Sequence, residues 1–567
     1  MDSKQLEQLR HSAAHLLAHA VIELYPDTIL TIGPATPEGF FYDMLPKHNF
    51  KEEDLPKIEA RMHEISKKNY PITHTQIPKD EARKIFVGNP YKLELIDQIP
   101  GQTVGLSQQG NFYDLCRGGH VESTGDIKHF KLQNISGSYW RADRSAQALQ
   151  RISGTAFGTA QELADYEKRK EEAALYDHRR LGKLLDLFSF RDEGVGFAFI
   201  HPKGKRILNV IVDYLRKQLQ KNDFEEIQTP ILLNDELWKT SGHYAHYKDN
   251  MYFCTIDERQ YAVKPMNCPG AILVYKDHPR SYRELPLRLA EFGLVHRHEL
   301  SGVLQGLFRV RAFTQDDAHI FCTPDQIESE IISMITLNMK VLEKFGFNDI
   351  NIAIATRPEK SMGNDDLWKK GTDALMNALK HLNLPYTVNE GDGAFYGPKI
   401  EFNMKDSMGR LWQCGTIQVD FCQSENFDLS YIAPSGAKER PVILHRVIYG
   451  SLERFFGILI EHYKGNFPFW LAPVQVKVLT ITDDQKEFAH KLAALLKEND
   501  VRVEVDETSD PISGKIKTAQ TEKVPWMAVL GKKEVENNTV TLRNHDGKQE
   551  FAIPFDAFTA RAVEANK

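Results

Sequence analysis

The residues that could do chemistry gather in two parts of this chain. Between Arg288 and Phe321, two strand-like runs flank a loop containing Ser301, Gly302 and Gly306, which predicts an antiparallel hairpin. Side chains two apart in a strand share a face. Arg297 and Glu299 therefore point together from the first run. On the return run Arg309, Arg311, Phe313, Gln315, Asp317 and His319 have one parity, and an unbulged strand lines them along one surface. Guanidiniums suit phosphate, a carboxylate can accept from a base amino group, and a phenyl ring can stack on a base. Together they describe a nucleotide site built on a strand rather than on a Gly-rich loop. The bland alternative is a solvated sheet face. The mix of Arg, His and Phe, opposite a partly apolar face of Val310, Ala312 and Ile320, argues against it.

The second concentration is split. His11 and His15 stand in HSAAH, and Cys116 and His120 in DLCRGGH (114–120). These are metal-ligand residue types, which makes zinc one reading. A metal-free hydrolytic pocket, with His as base and Cys as polar contact, is the other.

Several elements must position these groups. Leu6, Leu9, Ala13, Leu16, Ala20 and Leu24 recur at helical spacing, predicting a helix over 4–25. His11 and His15, about 40° apart around it, are expected on a non-core face with His19. The segment 30–135 is α+β in character, with a helix-like run at 52–69, and 161–188 is charged and helical, suiting a linker. HPKG (201–204) reads as a turn before a helix carrying Ile207, Val210, Ile211, Tyr214 and Leu215. That helix leads into EEIQTPIL, where Pro230 implies an edge or interface. KPMNCPG (264–270) reads as a tight turn. Helices are expected at 327–345 and 366–381, strands round a Met-Gly turn at 398–421, and a buried strand at 440–450 before a helix capped by Ser451. From Val474 onward strands alternate with helices at 483–498 and 511–522, predicting a small α/β domain with a parallel sheet.

The whole chain bounds the function. Its 567 residues imply three or four domains. With 71 basic and 78 acidic residues the net charge is -7, so an RNA partner must be held by local patches. No apolar run approaches membrane-spanning length, and the N-terminus lacks a signal or transit composition. Six cysteines in so long a chain make no disulfide framework, which fits a reducing cytoplasm.

RLAEFGLVHRHE (288–299) resembles motif 2 of class II aminoacyl-tRNA synthetases. The 207–232 region resembles motif 1, and YGSLERF (449–455) motif 3. KPMNCPG, RVRAFTQDDAHIF, GAFYGPKIEF, LWQCGTIQ and LHRVIYGSLERF together are similar to the threonyl-tRNA synthetase family, over essentially the whole chain. HSAAH and CRGGH resemble that family's editing domain.

The resemblance implies an α+β multidomain protein. An editing domain (1–160) and a linker helix (161–188) would precede a catalytic domain (189–471) with an antiparallel sheet flanked by helices, and an anticodon-binding α/β domain (472–567) would follow. Arg297 would hold the ATP α-phosphate, Glu299 the adenine amino group, and Phe313 the adenine ring. Arg309 and Arg454 would contact phosphates beside Mg²⁺. Cys268, His319 and His445 match the family's zinc ligands, a three-residue set with an open position. Asp317 would accept from the threonine hydroxyl, with Gln315, Tyr396, Gln413 and Met266 completing the pocket.

Further roles follow from the same resemblance. A hydrolytic site for seryl-tRNA is expected at His11, His15, Cys116 and His120, with Lys92, Asp114 and Tyr42 as neighbours, and the metal-free reading is favoured there. Glu534 and Arg543, with Lys517 as a further candidate, would meet the anticodon, and His243 the terminal ribose of tRNA. Motif 1 implies a homodimer through 207–232.

Ala271, His298, Leu300 and Gln305 depart from the family's usual residues. The chain begins at the editing domain, whereas many bacterial relatives carry a ubiquitin-like domain ahead of it. The alternatives are a serine or proline relative, a catalytically inactive RNA-binding regulator, and a hydrolase centred on HSAAH/CRGGH.

Overall fold

The N-terminal helix Ser3–Leu24 is fixed by a capping box: Asp2 accepts from the Gln5 amide at 2.8 Å while the Gln5 side chain accepts from the Asp2 amide. The computed structural model describes residues 1–143, 146–406 and 409–567. They divide into two compact units, Met1–Glu171 and Glu172–Lys567.

In the first unit the expected stripe faces the core, with Leu9, Ala13, Leu16 and Ala20 buried. Among the described residues, five strands form an antiparallel sheet around Gly39–Leu45, Ala148–Phe157 and His129–Tyr139. Three more, Ile72–Pro78, Thr103–Gln109 and Phe112–Leu115, form a second. The expectation of a non-core histidine face is corrected here: His15 is 5% and His19 1% exposed. The loop from the second sheet covers that side of the helix. Asn111 bonds His19 Nε2 at 3.0 Å, Gln109 reaches Nδ1 at 3.3 Å, and Phe112 stacks on the ring. Polar partners make a buried imidazole tolerable.

The charged stretch expected as one linker helix forms two, Ala160–Tyr176 and His178–Leu184. The break falls at Asp177, whose carboxylate caps the second by accepting from the Arg179 amide at 2.7 Å. HPKG is not a free turn but the entry to helix Pro202–Gln220, with Pro202 at its first position, where a missing N–H costs nothing. Likewise KPMNCPG does not stay a turn: Cys268 opens helix Cys268–Lys276.

Among the described residues, the second unit is built on an eight-stranded sheet. Its order is 225–226, 287–296, 312–322, 442–447, 411–420, 399–405, 351–355 and 387–389. All neighbours are antiparallel except the outermost pair at each edge. Helices Pro202–Gln220, Ile327–Lys344, Asp365–His381 and Leu452–His462 bury apolar residues in its core. Met408, of the expected Met-Gly turn, lies outside the described residues.

The C-terminal part has helices Lys486–Glu498 and Ile512–Thr521 against a sheet ordered 503–506, 476–480, 526–530, 539–544 and 549–554. The first three strands are parallel, as expected. The last two run antiparallel, because a short connection returns each one directly.

Candidate functional site

The hairpin forms as predicted, with Leu287–His296 paired to Ala312–Cys322 and Val295 opposite Phe313. Regular pairing starts at Ala312, however, so the two-residue alternation cannot be extended back through the loop. Arg311 departs from the expected surface. Its Nη1 donates to the Val195 carbonyl at 2.9 Å and its Nε to the Glu299 carbonyl at 3.0 Å, so it braces the loop. Of the remaining side chains, Arg297, Glu299, Arg309, Phe313 and Gln315 line a cleft of about 200 Å³ with Gln413, Gly450, Ser451 and Arg454, while Asp317 and His319 lie outside it.

Two guanidiniums in this cleft are held from behind. Arg297 donates Nε to the Pro265 carbonyl at 3.2 Å and lies 5.1 Å over the Phe313 ring. Arg454 donates Nε to the Phe308 carbonyl at 2.9 Å and Nη1 to that of Gln413 at 2.8 Å. Each fork keeps further N–H donors for an anion. Ser451 caps the helix Leu452–His462 by accepting from the Arg454 amide, so Arg454 stands in its first turn, where the helix end favours negative charge. Glu299 pairs with Arg309 at 3.2 Å.

Beneath the cleft lie acids that the sequence reading missed. Asp316 is buried and accepts from the amides of Ile448, Tyr449 and Gly450 at 2.7, 3.1 and 2.9 Å, fixing the turn that carries Ser451. Glu453 accepts from the Thr314 amide at 3.0 Å and from the Ser451 hydroxyl at 3.1 Å. Burial pushes Asp316 and Glu453 each up to about 7. Strand alternation places Asp316 on the face opposite Asp317, but gives no sign that Asp316 would hold the amides of the turn carrying Ser451.

Further along the same strand, His319 pairs directly with His445 on the neighbouring strand. With Cys268 they bring three ligand atoms within 4.8 Å of one another, all buried. His319 Nε2 is buried without a hydrogen-bond partner among the described residues. One thiol and two imidazoles with an orphaned ring nitrogen fit zinc. Asp420, which the sequence did not single out, bonds His445 Nε2 at 3.0 Å, as an outer partner orienting a ligand would. Asn267 donates to Asp317 at 3.2 Å, and burial pushes Asp317 up to about 6. Tyr396 packs against His445 at 5.3 Å between ring centres. His243 is fully buried, with Nδ1 on Ser241 at 2.8 Å and Nε2 against Met266 Sδ at 2.9 Å.

The departures from the family pattern lie beside these groups. Ala271 is buried in the Cys268 helix, and Leu300 is exposed. The His298 ring meets Tyr252 edge-on, and the Gln305 amide bonds the Arg309 carbonyl.

In the first unit, His11, His15, Cys116 and His120 converge, with ligand-type atoms within 4.8 Å. Here the donors already bond one another. Cys116 Sγ lies 3.1 Å from His120 Nε2 and 3.6 Å from His11 Nε2, while Ser12 Oγ holds His120 Nδ1 at 3.1 Å. Burial is the main cause that lowers His11 and His15 and takes His120 down to about 2, so the imidazoles are neutral at pH 7. Burial pushes the Cys116 thiol up. Lys92 and Asp114 form a buried ion pair, and Tyr42 joins it by bonding both. His11, His15, Lys92, Asp114 and Cys116 line a cavity of about 1000 Å³.

In the C-terminal part, Glu534 accepts from the Gly531 amide at 3.0 Å and the Thr541 hydroxyl at 2.9 Å. Arg543 stands on the strand Thr539–Asn544, its Nε buried without a partner among the described residues. Lys517 is exposed on helix Ile512–Thr521.

A mainly antiparallel sheet bearing an Arg-lined cleft, followed by an α/β domain, is the arrangement of a class II aminoacyl-tRNA synthetase. Family comparison agrees: "tRNA synthetase class II core domain (G, H, P, S and T)" matches residues 252–463, "Anticodon binding domain" 475–564, and "Threonyl and Alanyl tRNA synthetase second additional domain" 104–153. A threonine–tRNA ligase of Acetivibrio thermocellus is 53% identical over 98% of this chain and 88% of its own length. One from Clostridium tetani is 52% identical over 99% and 88%. A solved structure, the RNA binding domain of threonyl-tRNA synthetase from Cryptosporidium parvum Iowa II, is 40% identical with a TM-score of 0.67. It covers 69% of this chain and 98% of that one. The chain belongs to the threonine–tRNA ligase family.

Proposed function

We propose that the cleft, the buried thiol–imidazole cluster and the histidine pocket carry the successive steps of threonine–tRNA ligation. The chain activates L-threonine with ATP and Mg²⁺ and transfers the threonyl group to the 3′ end of tRNA. The observation that carries the assignment of residues is the convergence of Cys268, His319 and His445 from three segments, with His319 on the strand that also supplies Phe313 and Gln315 to the cleft.

Phe313 stacks on adenine and Glu299 accepts from its amino group. Arg297, its Nε anchored on Pro265, holds the α-phosphate as the threonine carboxylate attacks phosphorus. Arg309 and Arg454 hold the departing pyrophosphate. Fixed donors aimed at developing charge lower the barrier without reorganising. Cys268, His319 and His445 would hold one zinc, which would bind the threonine amino group and hydroxyl as a Lewis acid. Asp317, positioned by Asn267, accepts from that hydroxyl, and Gln315, Gln413, Tyr396 and Met266 close the pocket. A site built to bind a hydroxyl rejects valine strongly, whereas serine lacks only a methyl, worth roughly 1–3 kcal/mol.

That gap is the reason for a second site. The pocket of His11, His15, Cys116 and His120 hydrolyses seryl-tRNA, with neutral imidazoles as bases and the protonated Cys116 as a polar contact. Its metal-free reading is supported by the mutual bonding of its donors, which contrasts with the orphaned His319 nitrogen. The Lys92–Asp114–Tyr42 network holds its wall. His243 serves the terminal ribose of tRNA, which requires its contact with Met266 to open. Glu534, Arg543 and Lys517 meet the anticodon.

A homodimer forms through 207–232, where Ile231 and Leu232 are 43% and 38% exposed. The domains run 1–160, 161–188, 189–471 and 472–567. No helix among the described residues is long and apolar enough to cross a membrane, and all six cysteines are free, supporting a cytoplasmic location. Arg297, Glu299 and Arg454 all line the cleft, so the inactive RNA-binding reading has no support. Charging of tRNA with labelled threonine tests the function. Zinc-loaded protein that binds tRNA but forms no threonyl-tRNA would overturn it.

A further inference from the structure

One buried cluster outside the sites above connects to them. His178, 1% exposed, opens the helix His178–Leu184. Its Nε2 accepts the Leu307 backbone N–H at 3.1 Å. That bond fixes the tautomer: the proton sits on Nδ1, which donates to Glu461 Oε1 at 2.8 Å. Glu461 also accepts the His178 backbone N–H, at 3.2 Å. His178 is thus held at three points, two on its ring and one on its backbone, by two elements: the end of helix Leu452–His462 and the loop preceding strand Ala312–Cys322.

What it holds matters for the nucleotide cleft. Leu307 and Phe308 are buried, and the Phe308 ring lies 4.2 Å from the His178 ring. The Phe308 carbonyl accepts Nε of Arg454. The loop comes close enough that a Cβ on Gly306, whose φ is +49°, would meet His178 Nε2 at 2.3 Å. On the other side a Cβ on Gly457 would meet the Phe308 ring at 2.9 Å. Phe308 is thus packed closely between the His178 ring and the helix carrying Gly457, and its carbonyl lies on the segment that His178 holds.

We propose that His178 is a positioning residue for Arg454: through the Leu307 amide and the Phe308 ring it sets the carbonyl that orients the phosphate-binding guanidinium. This rests on the assignment of Arg454 to ATP made above. His178 also lies near Asp177 and Glu461, but both its ring nitrogens are already bonded and Asp177 pairs with Arg179, so these groups are satisfied by one another.

The alternative is a simple core anchor, which loses stability without favouring one substrate. Two variants separate them. His178→Phe keeps the ring against Phe308 and leaves the Leu307 N–H buried and unmatched. His178→Gln restores an acceptor for it. ATP–pyrophosphate exchange read at varied ATP and varied threonine, with melting temperatures alongside, is the test. For His178→Phe the expected result is a rise of about tenfold in the KM for ATP with the threonine KM unchanged, partly reversed in His178→Gln. Equal KM changes for both substrates, or a loss of melting temperature with no KM change, would overturn the proposal. Should His178→Phe fail to fold, His178→Gln carries the test: a KM for ATP raised by less than tenfold, with threonine unaffected, supports it, and no ATP-specific change overturns it. Full exchange activity in Arg454→Ala would instead overturn the underlying assignment of Arg454.

Discussion

His319 and His445 are direct cross-strand partners near the middle of the eight-stranded sheet, their ring centres 4.9 Å apart. Rigid neighbouring strands thus preset two of the three proposed zinc ligands, and a helix start presents the third, Cys268. The protein is expected to hold one zinc per chain. His319→Ala should lower metal content at least tenfold, because removing a ligand from a three-residue set leaves an incomplete site. Metal analysis of dialysed protein checks this; full zinc in the variant would contradict it.

The histidine pocket should be separable from ligation. His11→Ala/His15→Ala is expected to abolish seryl-tRNA hydrolysis while threonine charging continues at the wild-type rate. Hydrolysis that persists unchanged would remove the pocket from the reaction.

Lys92 and Asp114 are each about 3% exposed. Lys92→Met leaves a buried carboxylate uncompensated, a loss of roughly 3–5 kcal/mol. Urea unfolding should show this for Lys92→Met and recover most of it in Lys92→Met/Asp114→Leu. A single variant as stable as the parent would mean the pair is solvated.

Glu453 gives a pH dependence of defined sign. Burial raises it to about 7 from an unfolded value of 4.5, so between these values the folded state holds a proton that the unfolded state has lost. Its contribution is therefore largest below about pH 4.5, declines as pH rises through the window, and levels off above about 7. Glu453→Gln, which retains an acceptor for Thr314, should remove this slope. The difference in unfolding free energy between the two proteins, measured from pH 5 to 8, should drift in favour of the variant. A flat difference would contradict the shift.

Arg297→Ala and Arg454→Ala each remove a fixed donor from developing charge. Each should lower kcat for exchange by about 10²–10³-fold. Steady-state kinetics at varied ATP is the check: Arg454→Ala should also raise the KM for ATP, and a change in KM with kcat intact in either variant would assign that residue to ground-state binding alone.

Much of this was legible in the sequence because it rests on local spacing: the hairpin, the Ser451 cap, the N-terminal helix and the helices near 327 and 366. The proposed zinc set was not, since Cys268, His319 and His445 lie far apart and become neighbours only in the fold; resemblance alone supplied them. Alternation failed at Arg311 because pairing begins one residue later. It could not show that His19 is buried, since a loop from a distant strand covers it. Asp316, Asp420 and His178 act on backbone amides or other side chains across the fold, a role that leaves no mark in spacing.

The most direct test of the account is ATP–pyrophosphate exchange with threonine, serine and valine side by side. Strong exchange with threonine, exchange with serine weaker by about 10–200-fold, and valine lower than threonine by about 10⁴-fold or more are expected for a pocket that binds the hydroxyl. Valine exchanging as well as threonine would contradict the assignment of Cys268, His319, His445 and Asp317.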